Sequence, residues 1–595
     1  SINKLVTYND TNYIKVCRIR IFFFARIGIV HECQLSEELH EAVKDVKKNS
    51  ERQRGEKLME LTLNGVKNQE EWKKAGIELP GYDVENIREI SRKSPRWVHI
   101  GIGNIFRGFI GGIADTLLEQ GEISHGITCV ETFDYDVVDK IYQPYDNLVL
   151  SVILHGDGSQ ERKVLGSLTE AIRAQHSDAA SWERLKEVFR TPELQMVSFT
   201  ITEKGYALQR ADGTFLGNVS KDIEEGPEKA ESAMAIVTAM LLERWRSGGA
   251  PIALVSMDNC SKNGEKLRES VLTMAEEWKK RGFVDDAFMS YVSDEDKVSF
   301  PWSMIDKITP RPSERIVKEL EEDGVENMQP VVTSRQTYIA PFVNAEGPQY
   351  LVIEDHFPNG RPKLEKAGVY MTDRETVNKS ERMKVTVCLN PIHTALGPYG
   401  CVLGYELFSD EMKDPDMIKL AETVGYKEGM DVVPDPGILS PKAFLDECMN
   451  ERFPNPYLGD TCLRLSTDSS QGLGVRFGVT VKSYMEKYGD AKKLIGIPLA
   501  IAGWLRYLLG VDDEGRAYEL APDPMAGEIK ERLADIVIGD PSSLKGQLRW
   551  ILSNKNIFFV DLYEAGIGER IEDMFREEIE GPGAARATVR RYLGA

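Results

Sequence analysis

Cysteine is scarce in this chain. Eight are spread over 595 residues, at 17, 33, 129, 260, 388, 401, 448 and 462, with no CxxC pair and no Cys/His spacing of the zinc type. A disulfide framework and a bound metal are therefore not expected, and a reducing, cytoplasmic location is. Long apolar runs are missing too. The aromatic apolar run 21–25 follows Arg18 and Arg20 and ends at Arg26, far short of the roughly 20 apolar residues of a spanning helix. No membrane partner is expected, and no secretory signal is clear. Positive charge is in deficit: 74 Lys and Arg stand against 95 Asp and Glu, for a net charge of −21. Nucleic-acid binding draws on clustered cations, so it is excluded as an expectation. A small anionic ligand remains compatible, because a few cations in a pocket override a negative surface. Internal repeats and low-complexity segments are also absent.

What is present reads as ordinary folded protein, 42% hydrophobic and 28% charged, too long for a single core. Residues 1–58 hold no sustained period and read as an N-terminal extension dispensable for function. Residues 59–333 read as a Rossmann-type domain with a lead-in segment, and 334–595 as a mainly helical domain. In the first domain, strands are predicted over 97–100, 126–130, 147–154, 196–202 and 252–256, and helices over 179–189, 229–247 and 264–281. This alternation marks a doubly wound α/β sheet. Past 333 the strand signals thin, and helices are predicted over 417–424, 441–449, 494–509 and 525–538.

Strand 97–100 runs into Gly101-Ile102-Gly103-Asn104-Ile105-Phe106-Arg107-Gly108 and then a helix. A strand that stops at Gly-x-Gly lets backbone approach a pyrophosphate, with helix-terminal amides as donors. The third glycine of the full fingerprint is absent, and Arg107 stands in that region. At the end of the second strand, Glu131 is placed to accept hydrogen bonds from an adenosine ribose, with Asp134 as the alternative. Either acid would repel a 2'-phosphate, which favours NAD over NADP; both residues could equally be solvating a strand end. A methyltransferase could use the same strand and glycine turn.

The stretch 381–396 carries Glu381, Lys384, Asn390, Pro391 and His393. With Asn390 as N-cap and Pro391 first in a helix, His393 falls within a turn of Asn390. Metal-free alcohol oxidation needs a base for the hydroxyl proton and donors for the developing alkoxide, and Lys, Asn and His supply both. A solvated lysine and a plain helix cap are the bland alternatives.

At these residues the chain resembles the polyol-specific long-chain dehydrogenases, from about Trp97 to about Arg590. The resemblance rests on Gly101-x-Gly103-x-x-Phe106-Arg107, Thr200-Ile201-Thr202-Glu203-Lys204-Gly205-Tyr206, Met257-Asp258-Asn259 with Asn263-Gly264, and Phe300 to Pro310. Glu354-Asp355, Lys384 with Asn390 and His393, and Arg464-Leu465 with Asp468-x-Ser470-Gln471 complete it. It implies NAD as cofactor, held by Gly101, Gly103, Asn104, Phe106, Arg107, Glu131, Asp134, Thr202 and Glu203. It implies Lys384 as general base, Asn390 and His393 as oxyanion donors, and Glu381 as a proton relay. Asn259, Asp306 and Arg464 are implied as substrate-binding, and the assembly as a monomer or dimer.

Two departures from the family pattern stand out. Six positions instead of five separate Lys384 from Asn390, and on a regular helix the extra residue would swing the lysine by about 100°, so a bulge is predicted. Gly472 stands where the family commonly has lysine, and Arg476 is expected to return the lost cation. A uronate carboxylate wants a bidentate arginine, so Arg464, Arg476 and Lys204 favour a sugar acid over a polyol. The chain is most similar to the mannonate oxidoreductase (fructuronate reductase) branch. Tagaturonate reduction, mannitol oxidation and an inactive NAD-binding regulator are the alternatives.

Overall fold

The computed structural model describes residues 59–594. The expectation for 1–58 lies outside the described residues. Six parallel strands form the central sheet: β1 (Trp97–Ile100), β2 (Ile127–Glu131), β3 (Leu168–Arg173), β4 (Met196–Phe199), β5 (Ile252–Ser256) and β6 (Val298–Ser299), in the order β3-β2-β1-β4-β5-β6. That is the Rossmann order, in which the connection reverses between β1 and β4 and leaves a crevice at their carboxyl ends. Strands covered on both faces read as unbroken apolar runs, and β1, β4 and β5 are buried along their whole length. His99 in β1 is a core residue, bonded to Ser198 at 2.6 Å and Thr200 at 2.8 Å, with its ring stacked on Phe106. Burial lowers its pKa to about 3, so it stays neutral.

Two strand expectations are corrected. The strand expected over 147–154 runs from Val149 to Leu154 and belongs to a separate four-stranded sheet with Ile77–Glu78, Gln160–Leu165 and Phe342–Glu346. The one expected over 196–202 ends at Phe199, because Asp258 captures the amides of Ile201 and Thr202 at 2.9 and 2.8 Å. Thr202 is thereby held at φ 64°, a left-handed conformation no strand adopts.

Strands also continue past 333. Ser303–Asp306, Tyr350–Glu354 and Tyr370–Thr372 form a three-stranded sheet whose first strand is pinned to the end of β5 by Asn263. That buried side chain donates to the carbonyls of Asp258 and Ser303 and accepts from the Ser303 amide, each at 3.0 Å.

The helices that matter below are α1 (Gly111–Glu119), α2 (Asn263–Lys280), α3 (Arg374–Met383), α4 (Asn390–Leu403), α5 (Gly496–Tyr507) and α6 (Gly568–Glu578). The region from Arg374 onward is helical, and its core forms where α5 packs against both α4 and α6. Helix α5 is buried at every position, which is why its sequence shows little polar face.

Candidate active site

The crevice at β1 and β4 is shaped by Gly101. Its φ is +90°, and a Cβ there would lie 2.2 Å from the Thr200 carbonyl oxygen, so only glycine fits. A Cβ on Gly103 would meet nothing within 4 Å. Backbone is therefore open to a ligand at the start of the helical stretch that continues into α1, as a dinucleotide pyrophosphate requires.

The other cofactor candidates divide. Asn104 is partly exposed but accepts from Arg107 at 2.7 Å. Phe106 and Arg107 are enclosed, and Arg107 donates to the Ala340 carbonyl at 2.7 Å, so both shape the turn from within. Burial lowers the Arg107 pKa to about 10. Glu131 is buried, and its Oε1 takes the amides of Thr132, Phe133 and Asp134. Asp134 accepts from Thr333 at 2.7 Å, while its buried Oδ1 has no partner among the described residues. Of the two acids, Asp134 keeps the free acceptor. Glu203 is exposed and paired with Lys266, and Lys204 is exposed beside it. The residues present fit a dinucleotide: an open glycine turn at the switch point and an orphaned carboxylate oxygen at the β2 end.

On the other side of the crevice, α3 passes into a π-helical turn, Lys384–Cys388, before α4 begins. The extra residue is absorbed there by a bond from the Leu389 amide to the Lys384 carbonyl, five residues back. Lys384 consequently points into the site, 1% exposed. Its Nζ donates to Asn259 Oδ1 at 2.6 Å and to the Ile305 carbonyl at 2.9 Å. Burial lowers its pKa, with Arg452 acting in the same direction and Asp306 and Glu381 against it. Glu381 is partly exposed near Lys384, on the side of Lys266 and Cys260.

The expected cap is corrected. Leu389 is the N-cap of α4, with φ −119° and no side-chain bond, so Asn390 is the first helical residue. Its side chain is free of capping duty, and its buried Oδ1 has no partner among the described residues. His393, one turn on, packs against Phe408 and Phe453 and lines a small pocket with Leu389, Arg452 and Asp460. Burial, followed by Arg452, Arg476 and Arg464, lowers its pKa to about 3. The imidazole is neutral and keeps an N–H to donate.

Asp306 sits at the end of its strand within the electrostatic reach of Lys384, His393 and Arg452. Both its oxygens are taken by Arg452, at 2.5 and 3.1 Å, and Arg452 turns its other edge to Glu346 at 2.8 and 3.0 Å. Burial alone would raise the Asp306 pKa, but Arg452 and Lys384 hold it below the usual range.

Sequence reasoning missed Arg452 and Glu346. The one available signal is a lone arginine in the helical run before Phe453-Pro454-Asn455-Pro456.

Arg464 is mostly exposed and pairs with Asp460. Arg476 is partly buried, donates to Thr394 at 2.8 Å, and meets no carboxylate among the described residues. Its pKa is lowered by burial with nothing to offset it. Among the described residues no cluster of His, Cys, Asp and Glu is placed to hold a metal ion, and no helix is long and apolar enough to cross a membrane.

A Rossmann sheet facing a lysine, asparagine and histidine across one crevice defines a dehydrogenase-type protein. Residues 95–366 match the mannitol dehydrogenase Rossmann domain and 376–575 the mannitol dehydrogenase C-terminal domain. The chain belongs to the mannitol dehydrogenase family. It is 50% identical to the D-mannonate oxidoreductase of Thermotoga maritima over 90% of this chain and 99% of that protein. Among solved structures it is similar to a D-sorbitol dehydrogenase in substrate-free form, with a TM-score of 0.71 and 26% identity over 86% of this chain and 97% of that one. It also shares the fold of the Pseudomonas fluorescens mannitol 2-dehydrogenase, with a TM-score of 0.65 and 24% identity over 90% of this chain and 100% of that one.

Proposed function

We propose that this protein is an NAD-dependent oxidoreductase that interconverts D-mannonate and D-fructuronate. The observation that carries the acidic substrate is Arg476, a partly buried guanidinium with no carboxylate of its own among the described residues. A cation left unpaired in a desolvated pocket favours an anionic ligand, and guanidinium matches carboxylate in two parallel bonds. The 50% identity to a D-mannonate oxidoreductase across nearly its whole length supports the same substrate.

When bound, the nicotinamide supplies the hydride in reduction and accepts it in oxidation. Gly101 and Gly103 would admit its pyrophosphate and Asp134 its adenosine ribose. Lys384 is the acid–base group. As the ammonium it gives its proton to the carbonyl oxygen; as the free amine it takes the hydroxyl proton. Asn390 and the neutral His393 donate to the oxygen while it carries negative charge, where preorganised donors act most strongly. Asn259 and Asp306, expected beside the substrate, act first on Lys384 by fixing and surrounding its amine. Glu381, near the lysine and partly exposed, passes the proton to water. Arg476 holds the carboxylate, with Arg464 at the pocket rim.

The product tests this reading. With deuterium-labelled NADH and D-fructuronate, singly deuterated D-mannonate is expected. Label entering only the product from D-tagaturonate would move the substrate to the other epimer, and label entering only mannitol from fructose would move it to the polyols.

A further inference from the structure

Lys384 is a buried cation beside a buried carboxylate, yet the two do not pair. Among the described residues no carboxylate oxygen lies within 4.0 Å of Lys384 Nζ, which rests instead on two neutral acceptors, Asn259 Oδ1 and the Ile305 carbonyl. Asp306 is the very next residue after Ile305, so its carboxylate starts close to the amine. It is turned away because Arg452 closes on both of its oxygens. The guanidinium is in turn fixed from behind by Glu346, and its side chain is 1% exposed.

We infer that Arg452 is a positioning residue for the proton transfer: by occupying both oxygens of Asp306, it keeps that carboxylate off Lys384 and leaves the lysine free to give up its proton. The inference rests on the reading of Lys384 as the acid–base group. The groups facing the amine are Asp306, Glu381 and Arg452, and His393 faces Asp306 from α4. Cys448 lies 3.8 Å from Arg452 Nη1, the nitrogen that also meets Asp306, and at the other edge of the guanidinium Glu346 is pushed by burial to about 7 despite Arg452. Without the guanidinium, the nearest cation left to Asp306 is Lys384. An ion pair of that kind raises a lysine pKa, typically by about 1–3 units, and would hold the proton where catalysis needs it exchangeable.

The experiment is the pH profile of kcat/KM for mannonate oxidation, which rises as Lys384 loses its proton, in wild type, Arg452→Gln, Asp306→Asn and Lys384→Ala. Binding of NADH, followed by fluorescence, reports an intact cofactor half in each. The expected result is a pair of opposite shifts. In Arg452→Gln the acid limb moves up by about one unit or more, and in Asp306→Asn, where the carboxylate is gone and Arg452 remains, it moves down. Should Arg452→Gln fail to fold, Arg452→Lys takes its place: it keeps a cation but leaves one oxygen of Asp306 unheld, and its acid limb is expected to move up. An acid limb unmoved in both variants, with Lys384→Ala inactive, overturns the inference and leaves the lysine reading standing. A wild-type limb retained in Lys384→Ala overturns that reading itself.

Discussion

Gly472 lies directly under the guanidinium of Arg476: a Cβ on the glycine would stand 2.9 Å from Cζ and 3.0 Å from Nε. The missing side chain at 472 and the arginine four residues on are one arrangement. On the proposed reading, the cation that a lysine at 472 would bring comes instead from the next helical turn, as a planar fork and not a point charge.

Gly472→Ala should therefore push Arg476 off its seat on Thr394. The expected effect is a rise of about tenfold in KM for the uronate with kcat changed far less, since one charge-assisted contact is worth about 1.5–3 kcal/mol. Arg476→Leu should lose the acid more completely. Steady-state kinetics on both variants check this, and equal losses in kcat would place Arg476 in the chemical step instead.

The buried lysine sets the sign of the pH dependence. Burial lowers the Lys384 pKa, so the protonated form needed for reduction is lost as pH rises through that lowered value, and the free amine needed for oxidation appears over the same range. Reduction should fall and oxidation rise with a common midpoint below the ordinary lysine value. Profiles measured in both directions check it; a shared midpoint at or above that value would contradict the dry site.

The π turn makes an unusual prediction about a deletion. Because Lys384–Cys388 takes up the extra residue as a bulge, removing Val385 should remove the bulge and leave Lys384 facing the site. Activity within about tenfold of wild type is expected. Inserting an alanine there should turn the lysine by about 100° and cost on the order of 100-fold or more, as for loss of a general base. Turnover of the two variants under identical conditions separates these outcomes.

A stability test lies in the helical core. Glu578, on α6, takes a hydrogen bond from Tyr399 of α4, and burial raises its pKa to about 8. Its folded value lies above that of an ordinary glutamate, so the stability it contributes is complete below the unfolded pKa and is lost as pH rises toward 8. Glu578→Gln, which imitates the protonated acid, should gain on wild type steadily across that window. Melting temperatures at several pH values measure it, and parallel curves would mean that the carboxyl does not titrate as described.

The sequence was most readable where chemistry is local. The strands of the Rossmann sheet are buried on both faces, so each appears as a short apolar run; the Gly101 turn follows from its spacing, and the bulge after Lys384 from the one residue by which this chain departs from the pattern of the family it resembles. The strand Val149–Leu154 looks the same to such a reading, and only its partners, Gln160–Leu165 and Phe342–Glu346, assign it to another sheet. The strands after 333 are two to five residues long, too short for a period to emerge. Arg452 is the plainest case of what could not be read. Its partners lie 146 and 106 residues away, and no local pattern distinguishes a buried ion network from three solvated side chains. Glu131 was legible as an acid at a strand end, but not that four backbone amides claim its oxygens.

NADH oxidation with D-fructuronate, D-tagaturonate and D-fructose in parallel, using wild type and Lys384→Ala, tests the central claim most directly. The account predicts rapid turnover of D-fructuronate by the wild type and its loss, by about 100-fold or more, in the variant. Turnover of fructose alone, or a Lys384→Ala enzyme as active as wild type, would contradict it.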